Sequence, residues 1–139
     1  MIAEMMVAQA VLHRELGHVR AAADLDRRAL VLRQSVLSAD DPALAESKVA
    51  VAENLLAAGD ARGAVPLAQE ALRVLEAVGG SSADRARWIL ARSLWTSGLD
   101  RDRAITVARE LRAGLGSDGV SEATLGPEVD RWLERRSRP

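Results

Sequence analysis

The sequence HRELGH, at residues 13–18, is the segment whose residue types come closest to a metal site. The H-E-x-x-H motif of zinc proteases places its two histidines four residues apart, about 40° apart on one helix face. Here His13 and His18 are five residues apart, which is roughly 140° around a helix, and Glu15 stands at the wrong offset. Two histidines cannot complete a four-ligand zinc shell, and the chain contains no cysteine. The segment therefore does not predict a metal site.

No other set of residues has the spacing of a catalytic or nucleotide-binding site. There is no Ser/His/Asp or Cys/His arrangement, no phosphate-binding loop and no glycine-rich nucleotide fingerprint. The aspartate-rich stretches SADDP (38–42) and LDRDR (99–103) lack the spacing and central glycine of a calcium loop, and they indicate loops and helix caps. We therefore expect no catalytic, cofactor-binding or metal-binding residues and no enzymatic activity in this chain.

Composition restricts the classes of partner and the compartment. The chain has 139 residues, 28% of them charged, and its formal net charge is −1. It lacks the basic excess of a nucleic-acid or membrane-surface binder, and it lacks cysteine, which fits a reducing interior. The N-terminal segment has no basic region, and Glu4 and Glu15 interrupt its apolar run, unlike a signal peptide or membrane span. We expect one soluble, cytoplasmic domain over residues 1–139 that binds neither nucleic acid nor membrane.

The elements that must carry any functional surface are helices. Alanine, leucine, arginine and glutamate dominate the chain, phenylalanine and tyrosine are absent, and no alternating apolar–polar run indicates a strand. Glycine-rich and aspartate-rich breakers divide the chain into segments with helical periodicity. These segments lie at about 2–16, 19–37, 43–58, 61–78, 83–97, 102–114 and 127–136. The sequence predicts an all-α protein whose short connections make neighbouring helices antiparallel.

The helical segments form an internal repeat. Gly17, Gly59 and Gly98 follow the first, third and fifth segments, at offsets of 42 and 39 residues. In the same alignment, with one extra residue in the loop after Gly98, alanine recurs at one position of the following helices. These alanines are Ala22, Ala64 and Ala104. Glycine permits a tight turn and alanine lets two helices approach closely, so the pattern predicts three stacked helix pairs.

The repeat resembles the tetratricopeptide repeat (TPR) of the longer, kinesin-light-chain-like type. The sequence LLAAGDARGAVPLAQEAL (55–72) matches that family's L-x-x-x-G-x-x-x-x-A-x-x-L-x-x-x-A-L core. SADDPALAESKVAVAENLLAAGD (38–60) resembles the linker and first helix, with Val49 and Ala50 in place of the asparagine pair often found there. ADRARWILARSLWTSGLDRDRAITVARELRAGL (83–115), followed by EVDRWLERR (128–136), resembles the C-terminal end of repeat arrays attached to bacterial serine/threonine kinases.

The resemblance implies a right-handed α-solenoid of three helix pairs followed by a capping helix. The pairs are expected at about 1–40, 41–80 and 81–116, and the capping helix at about 127–136. The resemblance also implies a non-catalytic module that binds a protein or peptide segment in a concave groove. Such a module would be the C-terminal part, or a stand-alone relative, of a bacterial signalling kinase.

In this family the first helix of each pair lines the groove, so the resemblance nominates residues that precede each turn glycine. The candidates are Arg14, Val49, Glu53, Trp88, Arg92 and Trp95. Trp88 and Trp95 are seven residues apart and share one helix face, with Arg92 between them, an arrangement suited to anchoring a peptide. The alternative is that both tryptophans pack beneath the C-terminal helix beside Trp132, and the two roles are compatible.

The repeat register gives HRELGH a structural interpretation. His13 stands at the packing position that Leu55 and Leu94 occupy in the later repeats. His18 follows the turn glycine. We therefore expect both histidines to serve the fold and not a ligand.

The first helix carries an apolar stripe that no earlier repeat in the sequence would cover. Ile2, Met5 and Met6 have the spacing of a buried helical face. An exposed apolar patch on a soluble protein usually finds a partner, and a second copy of the chain is the simplest one. The alternative function is therefore an oligomerisation or structural element, a homodimer that forms through the N-terminal helix.

Overall fold

The structure, a computed structural model, describes residues 2–115 and 120–137, which contain helices and no strand. The helices are α1 (Ile2–Glu15), α2 (Val19–Val36), α3 (Pro42–Ala57), α4 (Ala61–Val78), α5 (Ser81–Ser97), α6 (Arg101–Gly114) and α7 (Val120–Arg136). The first six lie within two residues of the predicted segments at each end, which confirms the all-α prediction. No helix in the described ranges is long and apolar enough to cross a membrane.

Aspartate side chains begin three of the helices. Asp41 accepts a hydrogen bond from the backbone N–H of Ala43 at 2.9 Å, with Pro42 in the first turn of α3. Asp60 and Asp100 each accept one from the backbone N–H three residues later, also at 2.9 Å. These bonds satisfy amide groups that a helix start leaves without an intrahelical partner. The prediction that SADDP and LDRDR supply helix caps is confirmed.

Each helix pair turns at a glycine with a positive φ angle. This angle is 80° at Gly17, 93° at Gly59 and 72° at Gly98. A residue with a Cβ atom rarely adopts this left-handed conformation, whereas glycine adopts it without steric cost. The repeated glycines therefore set the reversals from α1 to α2, from α3 to α4 and from α5 to α6, as the repeat alignment predicted.

The helices stack in chain order, so each pair rests on the pair before it. The helices of each pair pack on one another, while α2 contacts α3 and α4 contacts α5. The alanines at the repeated positions are at most 1% exposed, so the helices approach closely there. They are Ala22, Ala64 and Ala104, together with Ala29 and Ala71, which align with each other at the offset of 42 residues. The solenoid of three helix pairs is thereby confirmed.

The last helix begins earlier than predicted. The sequence placed it at about 127–136, but α7 runs from Val120 to Arg136 with Pro127 inside it. An interior proline removes one backbone hydrogen bond and crowds the preceding turn. Leu125 packs against the core just before Pro127, and Val129 is fully buried just after it. We infer that these apolar contacts hold the helix together across the proline.

Candidate protein-binding groove

The first helices of the three pairs, α1, α3 and α5, contribute to one surface, which we call the groove face. A first cavity of about 260 Å³ lies on it. The side chains that line it include Val7, Val11 and Arg14 of α1, Val49 and Ala50 of α3, and Arg85 of α5. Branched apolar groups and guanidinium groups thus meet in one hollow, a combination that suits a ligand with both apolar and polar groups.

A buried carboxylate joins three helices beside the first cavity. Asp26 of α2 is 3% exposed. Its Oδ2 atom accepts a hydrogen bond from Arg14 Nη2 of α1 at 2.5 Å and another from Asn54 Nδ2 of α3 at 2.8 Å. A buried charge is tolerated when it is paired and hydrogen-bonded. Asp26 therefore holds the first helix pair in register with the second.

A second buried polar residue, Arg33 of α2, works in a similar way. It is 7% exposed, and its Nη1 atom donates to the Ala43 carbonyl oxygen at 2.8 Å and to Ser47 Oγ at 3.0 Å. Its Nη2 atom lies 3.9 Å from the Glu4 carboxylate. These contacts join α2 to the start of α3 and bring α1 close to the same guanidinium.

Sequence reasoning missed Asp26 and Arg33 as members of this site. Both lie on the apolar stripe of α2 that includes Ala22, Ala29 and Leu30, at helical spacing. A charged residue inside such a stripe is buried with its partner, because burial without one is costly. That position in the pattern is the signal that could have found them.

An ion pair and a hydrogen bond between first helices border the groove face. Arg85 of α5 is paired with Glu53 of α3, with Nε 3.1 Å from the carboxylate oxygen. Ser82 Oγ lies 3.2 Å from Glu46 Oε1 in the same contact between α5 and α3. These side chains are accessible to solvent, so each pair contributes little to stability. They remain within reach of a bound molecule.

The three tryptophans form one cluster between α5 and α7. The Trp132 ring centroid lies 5.8 Å from those of both Trp88 and Trp95, in edge-to-face arrangements. Trp88 is 5% exposed, and the guanidinium of Arg92 lies over its ring. Arg136 stacks over Trp95 and Trp132. Trp88 and Trp95 therefore both pack beside Trp132, which is the alternative that the sequence analysis gave for them.

The predicted groove residues divide among three places. Arg14 and Val49 line the first cavity. Glu53, Trp88 and Arg92 line a second cavity between α3, α5 and α7. Val49 is 2% exposed, so it forms part of the floor of the first cavity and offers a ligand little accessible surface. The remaining candidate, Trp95, lines neither of these cavities.

The two histidines of HRELGH contact each other at the first turn. His13 Nδ1 lies 3.2 Å from His18 Nδ1, and the ring centroids are 5.4 Å apart. His13 is half-buried and His18 is exposed. Within the described ranges, no group of three or more histidine, cysteine or acidic side chains is arranged to hold a metal ion. The contact fits the structural interpretation, in which His13 packs near the turn.

The start of α1 presents an exposed apolar surface. Ile2 is 60% exposed and Met5 is 56% exposed. In the repeat register they correspond to Leu44 and Ser47 of α3, which are only 4% and 3% exposed. Ser47 accepts a hydrogen bond from Arg33 of the preceding pair. Met6 is half-buried. The apolar stripe predicted on α1 is therefore uncovered in the structure.

Solved structures match this arrangement of helices. One is the crystal structure of a protein from Podosopora anserina, described as a candidate kinesin light chain with nearly identical TPR-like repeats. It has a TM-score of 0.79 and 18% sequence identity over 96% of this chain. A variant of that protein with a single substitution has a TM-score of 0.78 with the same identity and coverage. This chain spans 64% of the length of each of those structures.

This chain folds as a TPR-like repeat array. No protein-family model matches the sequence, and no curated protein matches it significantly. The resemblance of residues 55–72 to the TPR core motif implied this fold, and the structural matches confirm it. At this level of identity, the matches support the architecture of the array and nothing about its ligand.

Proposed function

We propose that this chain is a non-catalytic module that binds a protein or peptide segment on the groove face. The observation that supports this most is the first cavity, which is bordered by the first helices of all three pairs. Arg85 lines both this cavity and the second one, so the two follow one another along the same face. An elongated surface of this kind suits an extended or helical segment better than a compact small molecule.

Blocking the first cavity tests this proposal. Peptides that bind the protein are selected from a random display library, and their dissociation constants are measured by calorimetry. Ala50→Trp places an indole ring in the cavity, so binding should weaken by about tenfold or more, a loss of roughly 1.4 kcal/mol. Ala77→Trp, on the exposed side of α4, adds the same ring and should leave affinity unchanged. Equal affinities for both variants, or a library without binders, would contradict the proposal.

We further propose that the module is the C-terminal repeat part, or a stand-alone relative, of a bacterial signalling kinase in the cytoplasm. The support is the resemblance of residues 83–115 and 128–136 to the ends of such arrays. The genomic neighbourhood tests this link. A kinase domain encoded directly upstream supports it, whereas an isolated gene counts against it.

The exposed stripe on α1 supports a second candidate function, self-association. Met6 borders an apolar hollow of about 520 Å³ together with Ile2, Val31 and Leu32. The opposite end of the array is covered by α7, whose outward residues are charged and exposed. They are Arg131, Glu134 and Arg135. Head-to-tail stacking of two copies would therefore pair an apolar face with a charged one, and a two-fold contact of α1 with α1 is favoured.

Charges placed in the stripe test the homodimer. Met5→Glu combined with Met6→Glu should convert a dimer to a monomer in light scattering at high micromolar concentration. The matched pair Ala77→Glu and Val78→Glu adds the same charges to an exposed part of α4 and should leave the mass unchanged. A monomeric mass for the parent protein contradicts self-association. In that case the apolar stripe on α1 would be covered by another repeat or by a different protein.

A further inference from the structure

The exposed apolar side chains of α1 continue past the start of the helix. Leu12 is 58% exposed and Leu16 is 69% exposed. The Leu16 N–H donates to the Leu12 carbonyl oxygen at 3.1 Å, so Leu16 continues the helical turn. Together with the residues at the start, they form a set that we call the α1 seam: Ile2, Met5, Gln9, Leu12 and Leu16. Successive members are three, four, three and four residues apart, which is the spacing of a contact between two helices.

The counterparts of the α1 seam in the second pair pack against another helix. Ser47 Oγ accepts a hydrogen bond from Arg33, and the Asn54 amide donates one to Asp26. At the offset of 42 residues, Ser47 and Asn54 correspond to the second and fourth members of the α1 seam. Asp26 precedes Arg33 on α2 while Asn54 follows Ser47 on α3, so the two helices run antiparallel. The α1 seam therefore occupies the position of a surface that receives one antiparallel helix.

Gln9 distinguishes the α1 seam from its counterparts. The same position holds Val51 in α3 and Leu90 in α5, and Leu90 is fully buried. A further helix pair packed on α1 would bury the Gln9 amide where the later pairs have an apolar side chain, and an amide buried without a partner is costly. Gln9 is exposed, and among the described residues its side chain makes no hydrogen bond. The α1 seam therefore favours an occupant that offers this amide a partner.

We propose that the α1 seam packs antiparallel on the α1 seam of a second copy, with the two Gln9 amides hydrogen-bonded to each other across a two-fold axis. The inference rests on the self-association proposed above and gives it an orientation and a register. An amide has both donor and acceptor groups, so two copies of Gln9 satisfy each other. Gln9 lies seven residues from each end of the seam, so this pairing opposes Ile2 to Leu16 of the second copy. It also places opposite ends of the two helix dipoles side by side.

The size of this contact predicts a weak dimer. α1 has 14 residues and is therefore about 21 Å long. One helix from each copy buries less than the roughly 800 Å² per partner of a standard stable interface. A polar residue within a helix seam also lowers stability while it fixes the register. We therefore expect a dissociation constant in the micromolar range, and the experiments use the full chain at high micromolar concentration.

Engineered cysteines test the orientation, because the chain contains no cysteine of its own. Gln9→Cys should form a covalent dimer on mild oxidation, since the two copies of this residue face each other at the axis. Ile2→Cys alone should not, because the two copies would lie about 21 Å apart, but it should cross-link when mixed with Leu16→Cys. Ala77→Cys, at an exposed position of α4, controls for random collisions and should stay monomeric under the same conditions.

Substitutions of Gln9 test the amide pair in opposite directions, which a loss of folding cannot imitate. Gln9→Glu places two carboxylates opposite each other and should weaken the dimer by about tenfold or more. Gln34→Glu makes the same change at an exposed position of α2 and should have no effect. Gln9→Leu should tighten the dimer several-fold, because the seam becomes wholly apolar, and should relax its orientation. Ile2→Cys added to that variant should then cross-link to itself in part of the population.

The outcomes separate this inference from the self-association on which it rests. A parent protein that is monomeric in light scattering overturns both. If the parent is a dimer that Met5→Glu with Met6→Glu dissociates, but Gln9→Cys does not cross-link and Gln9→Glu has no effect, the antiparallel contact is wrong and self-association stands. A parent dimer in which Ile2→Cys cross-links to itself is parallel, and this result also overturns the proposed orientation.

Discussion

At the scale of single residues, Asp26 shows how a polar side chain can define a contact between helix pairs. Its carboxylate accepts hydrogen bonds from Arg14 and Asn54, so three helices meet at one buried group. Apolar contacts alone permit small shifts of one helix along another, whereas two directed hydrogen bonds fix a single register. The groove face begins at this contact, because Arg14 and Asp26 also line the first cavity.

Removing the Asp26 carboxylate should destabilise the protein. Asp26→Ala leaves the Arg14 guanidinium and the Asn54 amide without their acceptor. Arg14 is partly exposed and can regain water, so we expect a loss of about 1–3 kcal/mol in the free energy of unfolding. Urea denaturation measures it. Asp24→Ala, which removes an exposed carboxylate from the same helix, should cost less than about 0.5 kcal/mol. Similar losses of unfolding free energy for the two variants would show that the hydrogen bonds of the buried Asp26 carboxylate add no stability beyond that of an exposed carboxylate.

The turn glycines support a second prediction at this scale. Gly98 has a φ angle of 72°, which is strained for any residue with a Cβ atom, although the space around it is open. Gly98→Ala should therefore lower the free energy of unfolding by about 1 kcal/mol. Gly114, which ends α6, has no positive φ, and no atom lies within 4 Å of the position that an added methyl group would take. Gly114→Ala should therefore be neutral or slightly stabilising. An unfolding midpoint for Gly98→Ala at or above that of Gly114→Ala would contradict this explanation of the turns.

At the scale of helices, periodicity and breakers predicted most of the fold. Glycine, proline and aspartate mark the helix ends through backbone geometry and capping, which are local effects that a sequence displays directly. The extension of α7 across Pro127 could not be predicted in this way, because it is supported by contacts of Leu125 and Val129 with distant helices. The Asp26 network likewise depends on Asn54, which lies 28 residues further along the chain.

The close helix contacts predict the effect of a larger side chain. Ala71 of α4 is fully buried. Ala71→Leu should overpack this contact and lower the free energy of unfolding by about 1–3 kcal/mol. Ala77→Leu, on the exposed side of the same helix, should change it by less than about 0.5 kcal/mol. Thermal unfolding followed by circular dichroism compares them, and equal midpoints for the Ala71→Leu variant and the parent protein would show that the assigned register is wrong.

At the scale of the whole molecule, the two ends of the array differ in chemistry. α7 presents charged and exposed side chains outward, among them Arg131, Glu134 and Arg135. α1 presents Ile2 and Met5, at positions whose counterparts in α3 are buried. Among the described residues, the α1 end is therefore where a further element or a second copy can stack, and the groove face runs between the two ends.

Binding on the groove face is tested most directly by mapping a selected peptide onto the protein with backbone amide NMR. We expect the largest shift changes in α1, α3 and α5, together with the indole N–H of Trp88 and the Nε–H of Arg92. Changes in α4 and α6 should be small, because the residues that line the two cavities come mainly from the first helices. Largest changes on α4 and α6, or confined to Ile2 and Met5, would contradict a groove that binds protein segments.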